Sequence, residues 1–134
     1  MIYKILQRIE AVINTEPIAK TVTNGDLFEV DLNKKTLFPL SHIILNNATH
    51  QGNVISFNFS ILFMDLEDED DRTDVLNTQF MLATRVMEKL SRAESGIELI
   101  GNPTFEPFHE RFENNLAGWA VTFDINVKNE MTVC

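Results

Sequence analysis

The chain has 134 residues, 44% of them hydrophobic, which is enough for one domain with its own core, so we expect residues 1–134 to form a single domain. Its formal net charge of −9 argues against a protein that binds nucleic acid by neutralising phosphates. The lone Cys134 excludes a disulfide within the chain, and the polar residues that interrupt the N-terminal apolar segment argue against a signal peptide or membrane span there. We therefore expect a protein that is cytosolic or delivered there by assembly.

The first predicted element is a helix at the N-terminus. Apolar residues recur at three- and four-residue spacing over Ile2–Asn14, which places them on one helix face. Pro17 disfavours helical geometry in the residue before it, so the helix is expected to end near Asn14.

Four strands are predicted before the second helix. Thr21–Thr23 and Leu27–Asp31 flank a strong turn sequence and indicate a short hairpin at a sheet edge. Thr36–Asn46 carries apolar residues on both faces, and Ile55–Met64 alternates apolar and polar residues before becoming apolar throughout. The last two form a predicted antiparallel hairpin with its tip at Asn47–Asn53.

A second helix of about five turns is predicted from the spacing of apolar residues between Leu76 and Leu90. Carboxylates crowd its start, and Arg85, Lys89 and Arg92 lie near its end, which is the distribution that the helix dipole favours.

The most regular strand lies near the C-terminus. Side chains alternate from Ala117 to Val127, and Trp119 belongs to the apolar set, which predicts a strand with one face on the core. Upstream, Ile97–Ile100 and Thr104–Phe105 are strand-like on either side of a turn. Residues Glu106–Asn115 are interpreted as an irregular, charged connection.

These elements predict an α+β fold in which two helices pack on one twisted, mainly antiparallel sheet, in the order α-β-β-β-β-α-β-β. The two clearest strands are long for so small a domain, since eleven residues span roughly 36 Å. Strand ends that the helices leave uncovered are natural surfaces for a partner.

The acidic run within Asp65–Asp74 is the first candidate site. Its carboxylates could bind a divalent cation through oxygen ligands, but the run lacks the glycine and the terminal glutamate of an EF-hand loop. A solvated strand-to-helix connection is the favoured interpretation of the run, ahead of an acidic surface facing a lumen or a partner and of a metal site.

Other catalytic signatures are missing from the sequence. His42, His50 and His109 lie far apart, and His109-Glu110 begins like a zinc-protease motif that Glu113 does not complete. The serines lack a nucleophile-elbow context, and the chain has no glycine-rich phosphate loop. We therefore predict a non-enzymatic protein without a cofactor or metal.

One stretch carries a family resemblance. Glu106–Trp119, with the alternating strand that follows, resembles small proteins from the structural gene clusters of tailed bacteriophages, notably those infecting Bacteroidetes. The similarity covers nearly the whole chain and includes the segments Val22–Asp26, Thr36–Leu40, Phe63–Asp65 and Asp74–Thr78.

Size, acidity and element order resemble the tail-terminator, or tail-completion, group of these proteins. The resemblance implies an α/β sandwich that assembles as a hexameric ring, caps the tail tube and joins it to the head or neck. Its partners would be itself, the major tail-tube protein and a neck or head-completion protein, with DNA passing through the lumen without sequence-specific binding. The location would be the virion, after assembly in the host cytoplasm, with no membrane involved.

In such rings, strands or hairpins contact neighbouring subunits and acidic residues line the channel. Carried over to this chain, the resemblance implies subunit or tube contacts at Asn47, His50, Asn53, Phe108, Arg111, Phe112 and Asn114. The implied acidic lumen or partner surface consists of Glu67, Asp68, Glu69, Asp70 and Asp71.

Three alternatives stay open at this point. The chain could be another neck connector or a tail-tube protein. It could be a divalent-metal-dependent hydrolase or nuclease that uses Asp65–Asp74. It could also be a small ligand-binding module, which would need an apolar pocket.

Overall fold

A computed structural model describes residues 2–17, 19–24, 39–66, 72–92, 98–111 and 116–128. Within these ranges the elements are, in order, α1 (Ile2–Asn14), β1 (Thr21–Asn24), β2 (Leu40–Gln51), β3 (Val54–Leu66), α2 (Arg72–Leu90), β4 (Glu98–Arg111) and β5 (Leu116–Lys128). The predicted α+β fold is confirmed, and so are the bounds of the first helix. The predicted strand Leu27–Asp31 lies outside the described residues.

The five strands form one sheet in the order β1-β2-β3-β5-β4. Only β1 and β2 run parallel, and the other three neighbouring pairs are antiparallel, as the prediction of a mainly antiparallel sheet requires. The centre is the pairing of β3 with β5, which runs in register from Val54 opposite Lys128 to Leu66 opposite Leu116.

Both helices pack on the same face of the sheet. The alternation in β3 and β5 aims every second side chain at them, and Phe59 stacks on Phe123 with ring centroids 6.1 Å apart. The three-and-four spacing in α1 likewise buries one helix face. The buried residues of this core are Ile5, Ile9, Ile13, Ile43, Phe57, Phe59, Ile61, Phe63, Leu82, Ala83, Val86, Met87, Leu90, Val121, Phe123, Ile125 and Val127.

A second, smaller apolar cluster lies on the opposite face of the sheet. Leu40, Leu62, Met64 and Phe108 are buried there, in contact with partly buried neighbours. Apolar side chains on both faces explain why this part of β3 loses its alternation: from Ile61 to Met64 every side chain is buried.

The hairpin of β2 and β3 is tighter than the sequence suggested. The loop prediction Asn47–Asn53 is wrong, because β2 continues to Gln51, which pairs with Val54. The turn is therefore only Gly52-Asn53, and Gly52 has a φ of 59°, a conformation that glycine adopts without strain.

The structure also corrects the predicted turn and connection between residues 101 and 111. Glu98–Arg111 is one strand, and its register with β5 shifts once between Ile100 and Thr104 and again between Phe108 and Arg111. Because β4 is an edge strand, Pro107 needs no amide donor on its outer side, so it does not end the strand.

A buried carboxylate joins the two helices. Glu16, whose side chain is fully buried just after α1, lies 2.8 Å from Lys89 Nζ and 3.2 Å from Arg85 Nε on α2. These are ion-pair distances, although neither carboxylate oxygen accepts a hydrogen bond of good angular geometry. Lys89 also donates a 2.8 Å hydrogen bond to Thr15 Oγ1.

We expect Lys89→Met to lower the free energy of unfolding by about 1–3 kcal/mol, because it leaves a buried carboxylate short of one cation. Lys20→Met, at an exposed position, is the matched control and should change stability by less than about 0.5 kcal/mol. Urea denaturation measures both. Equal effects of the two substitutions would contradict a stabilising role for the ion pair.

Candidate assembly surface

One edge of the sheet is only partly covered. β1 pairs with Leu40–Ile43 and no further, and the Nδ1 of buried His42 lies 2.6 Å from Thr23 Oγ1, which fastens β1 to this part of β2. Beyond it, the outer side of Ile44–Gln51 has no partner strand in the described part of the chain. We call this segment the open edge.

The open edge lacks the prolines and charged side chains that normally discourage strand addition, and it contains one register shift, between Leu45 and Asn47. The side chains of Asn46–His50 are all exposed, and the segment holds no proline and no Lys, Arg, Asp or Glu. Unpaired strands of this kind are templates on which another chain can add a strand through main-chain hydrogen bonds.

The opposite edge of the sheet, β4, has features that discourage the addition of another strand, and we call it the guarded edge. It contains Pro103 and Pro107, exposed carboxylates at Glu98 and Glu106, and the two shifts in register. Prolines, charges and bulges are the devices with which natural sheets blunt an edge. The two flanks of this molecule therefore differ in their capacity to accept a strand.

The sheet face away from the helices carries a polar ladder next to the open edge. Hydrogen bonds link its side chains across three strands. Between β2 and β3, Asn46 Nδ2 donates to Asn58 Oδ1 (2.8 Å) and to Ser60 Oγ (2.7 Å). Between β3 and β5, Asn58 Nδ2 donates to Asp124 Oδ1 (2.8 Å), Ser56 Oγ donates to Asn126 Oδ1 (2.6 Å), and the Ser60 and Thr122 hydroxyls lie 3.1 Å apart. These bonds fix the side chains of the face before any partner arrives.

The polar ladder gives a matched pair of stability predictions. Asn46 lies at the bulge of β2 and donates two of the ladder hydrogen bonds, whereas exposed Asn47 donates none that the described residues accept. We expect Asn46→Ala to cost about 1 kcal/mol and Asn47→Ala less than about 0.5 kcal/mol. Thermal denaturation compares them, and a larger loss for Asn47→Ala would contradict the ladder.

The predicted contact residues separate into two groups. Asn47 and His50 are exposed within the open edge, on opposite faces of β2, and Asn53 is exposed in the turn that follows. Phe108, expected to be an exposed contact, is instead 6% exposed within the smaller apolar cluster, because its position in β4 aims it at the sheet face opposite the helices.

The remaining predicted residues lie wholly or partly outside the described part of the chain. Arg111 pairs through its backbone with Leu116, but its side chain lies outside the described part of the chain. Phe112, Asn114 and the acidic residues Glu67–Asp71 are also outside it.

A group of large side chains near β4 was not predicted as a surface. Phe80 on α2 contacts the rings of Phe105 on β4 and Trp119 on β5, with centroids 5.4 and 4.9 Å apart. Trp119 is half-buried on the helix side, and its Nε1 donates a 2.8 Å hydrogen bond to the Leu76 carbonyl. We call these three rings, together with exposed Met81, the residue that follows Phe80 on α2, the aromatic patch. The sequence signal for this patch was that α2 carries more large apolar residues, Phe80 and Met81 among them, than one helix face can bury.

Within the described ranges, no three His, Cys, Asp or Glu side chains come together where they could hold a metal ion. No described helix combines the length and apolar character needed to cross a membrane. Comparison of the sequence with models of known families finds no match, and comparison with curated proteins finds no significant match.

Proposed function

We propose that this protein is a structural component of a tailed-bacteriophage virion, a tail terminator that forms a hexameric ring, caps the tail tube and joins it to the neck. Its partners in this role are its own copies, the major tail-tube protein and a neck protein, and DNA passes through the lumen. The sequence resemblance over Glu106–Trp119 supports the choice of the tail-terminator family. The open edge supports assembly through contacts between copies of the chain.

The observation that carries the proposal is the difference between the two flanks of the sheet. One flank is an exposed strand without Lys, Arg, Asp or Glu, whose outer main-chain groups have no partner strand among the described residues, and the other is the guarded edge. A surface that is complementary to a different surface on the next copy produces head-to-tail contacts, which close into rings when the rotation between copies permits.

The exposed hairpin end fits the same role. Asn47 and His50 belong to the open edge and Asn53 lies in the turn at its end, so a neighbour that contacts the edge also meets these side chains. The polar ladder supplies an ordered, mostly uncharged face beside them. Such a face suits a contact that retains bridging water molecules and fixes the orientation of the neighbouring copy.

The proposal is tested by the mass and shape of the purified chain. Mass photometry should give a species of about six times 15.3 kDa, and negative-stain electron microscopy should show a ring with a central opening. Added to purified tail tubes, the ring should be found at their ends. A monomer at all concentrations that never binds tubes would contradict the proposal, and binding along the whole tube would favour a tail-tube protein instead.

A further inference from the structure

The aromatic patch lies on the β4 flank of the molecule. Phe80 bridges α2 to Phe105 of β4, which is the strand at that edge of the sheet. Phe80 is 38% exposed and Met81 is 50% exposed. Aromatic residues and methionine are enriched at the centres of protein interfaces, so this surface has the composition of a contact rather than of solvated helix.

A second exposed apolar surface lies on the opposite flank. Asn24 at the end of β1 donates a 2.7 Å hydrogen bond to Glu10 Oε1, which places α1 over the β1 edge of the sheet. At the start of this helix Tyr3 is 72% exposed and Ile2 is 42% exposed. The two apolar surfaces therefore lie on opposite sides of one chain.

The charges beside the two surfaces are of opposite sign. Lys4 is exposed next to Tyr3, and Asp74 is exposed two helical turns before Met81, on the same side of α2. Neither Lys4 nor Asp74 has an ion-pair partner among the described residues. Opposite charges across a contact steer association and disfavour the reversed arrangement.

From these observations we infer that the start of α1 in one copy, with Tyr3 at its centre, docks on the aromatic patch of the next copy, with Lys4 facing Asp74. The inference rests on the proposed ring and names one of its contacts. It is a contact between the helical layers, and it fixes which flank of each copy meets which flank of its neighbour.

Cross-linking with paired cysteines tests the contact in the full chain. In a Cys134→Ser background, Gln7→Cys lies one turn from Tyr3 and Asn77→Cys lies one turn from Met81, so both leave the apolar residues intact. The two single-cysteine chains are mixed before assembly and treated with a short bismaleimide. Mixing Gln7→Cys with Glu88→Cys, which is exposed near the other end of α2, is the control.

We expect covalent dimers from the Gln7→Cys and Asn77→Cys mixture, at least about tenfold more than from either chain alone or from the control mixture. Complete rings that give no such dimers would overturn the docking and leave the proposed function standing. Dimers from Gln7→Cys alone would also overturn it, since they require two identical flanks to meet. Absence of any ring would overturn the docking and the proposed function together.

Discussion

Chains carrying Ala48→Lys together with Thr49→Lys are expected to stay monomeric at concentrations at which the unmodified chain assembles. Both positions are exposed in the open edge, so the fold accommodates them. In an assembly, however, each lysine would lie beside a neighbouring strand, and desolvating an unpaired ammonium there costs several kcal/mol. A cost of about 3 kcal/mol per contact weakens association roughly a hundredfold. Sedimentation velocity measures the change.

The control carries the same added charge away from the open edge. Asn14→Lys with Ser91→Lys places two lysines at exposed positions at the ends of α1 and α2, where the helix dipoles tolerate them. This double variant should assemble like the unmodified chain. If both double variants assemble equally well, the open edge is not the contact.

Gly118→Ala is expected to have the largest effect on folding. A Cβ at Gly118 would clash with the Phe63 carbonyl oxygen and lie 2.9 Å from Met64 Cα, so the two central strands, β3 and β5, would have to separate at this point. We expect a loss of about 3 kcal/mol or more, at the upper end of what overpacking costs. Guanidinium denaturation followed by circular dichroism measures it.

The matched substitution is Gly101→Ala in β4. A Cβ there has no atom within 4 Å, and only the φ of 65° opposes the change, which costs about 1–2 kcal/mol. A Gly101→Ala variant that is less stable than Gly118→Ala would contradict the close approach of β3 and β5.

The secondary structure was largely predictable because side-chain periodicity records burial. The spacing in Ile2–Asn14 and the alternation in Ala117–Val127 each reflect one face packed on the core, and both elements occur where the pattern placed them. The predictions failed where backbone pairing, rather than side-chain burial, determines where an element ends. The mostly polar residues 47–51 continue β2 because their amide and carbonyl groups pair with β3, and this pairing leaves no hydrophobic signal.

The same limit explains which parts of the candidate surface were missed. Phe108 was misassigned because proline and charge around it suggested a loop, whereas it lies in β4 opposite Gly118 and is buried on the sheet face away from the helices. The open edge depends on β1 pairing with β2 for only four residues, which no local pattern in either strand specifies. The aromatic patch likewise depends on how α2 meets Phe105 and Trp119.

Amide hydrogen exchange over the open edge, measured in the unmodified chain at high and low protein concentration, tests the assembly account most directly. In assembled protein we predict slow exchange at outward-facing amides of Ile44–Gln51, with fast exchange at the same amides after dilution to monomer, while the central strand Val54–Leu66 stays protected in both. Fast exchange along Ile44–Gln51 in fully assembled rings would contradict strand addition at this edge.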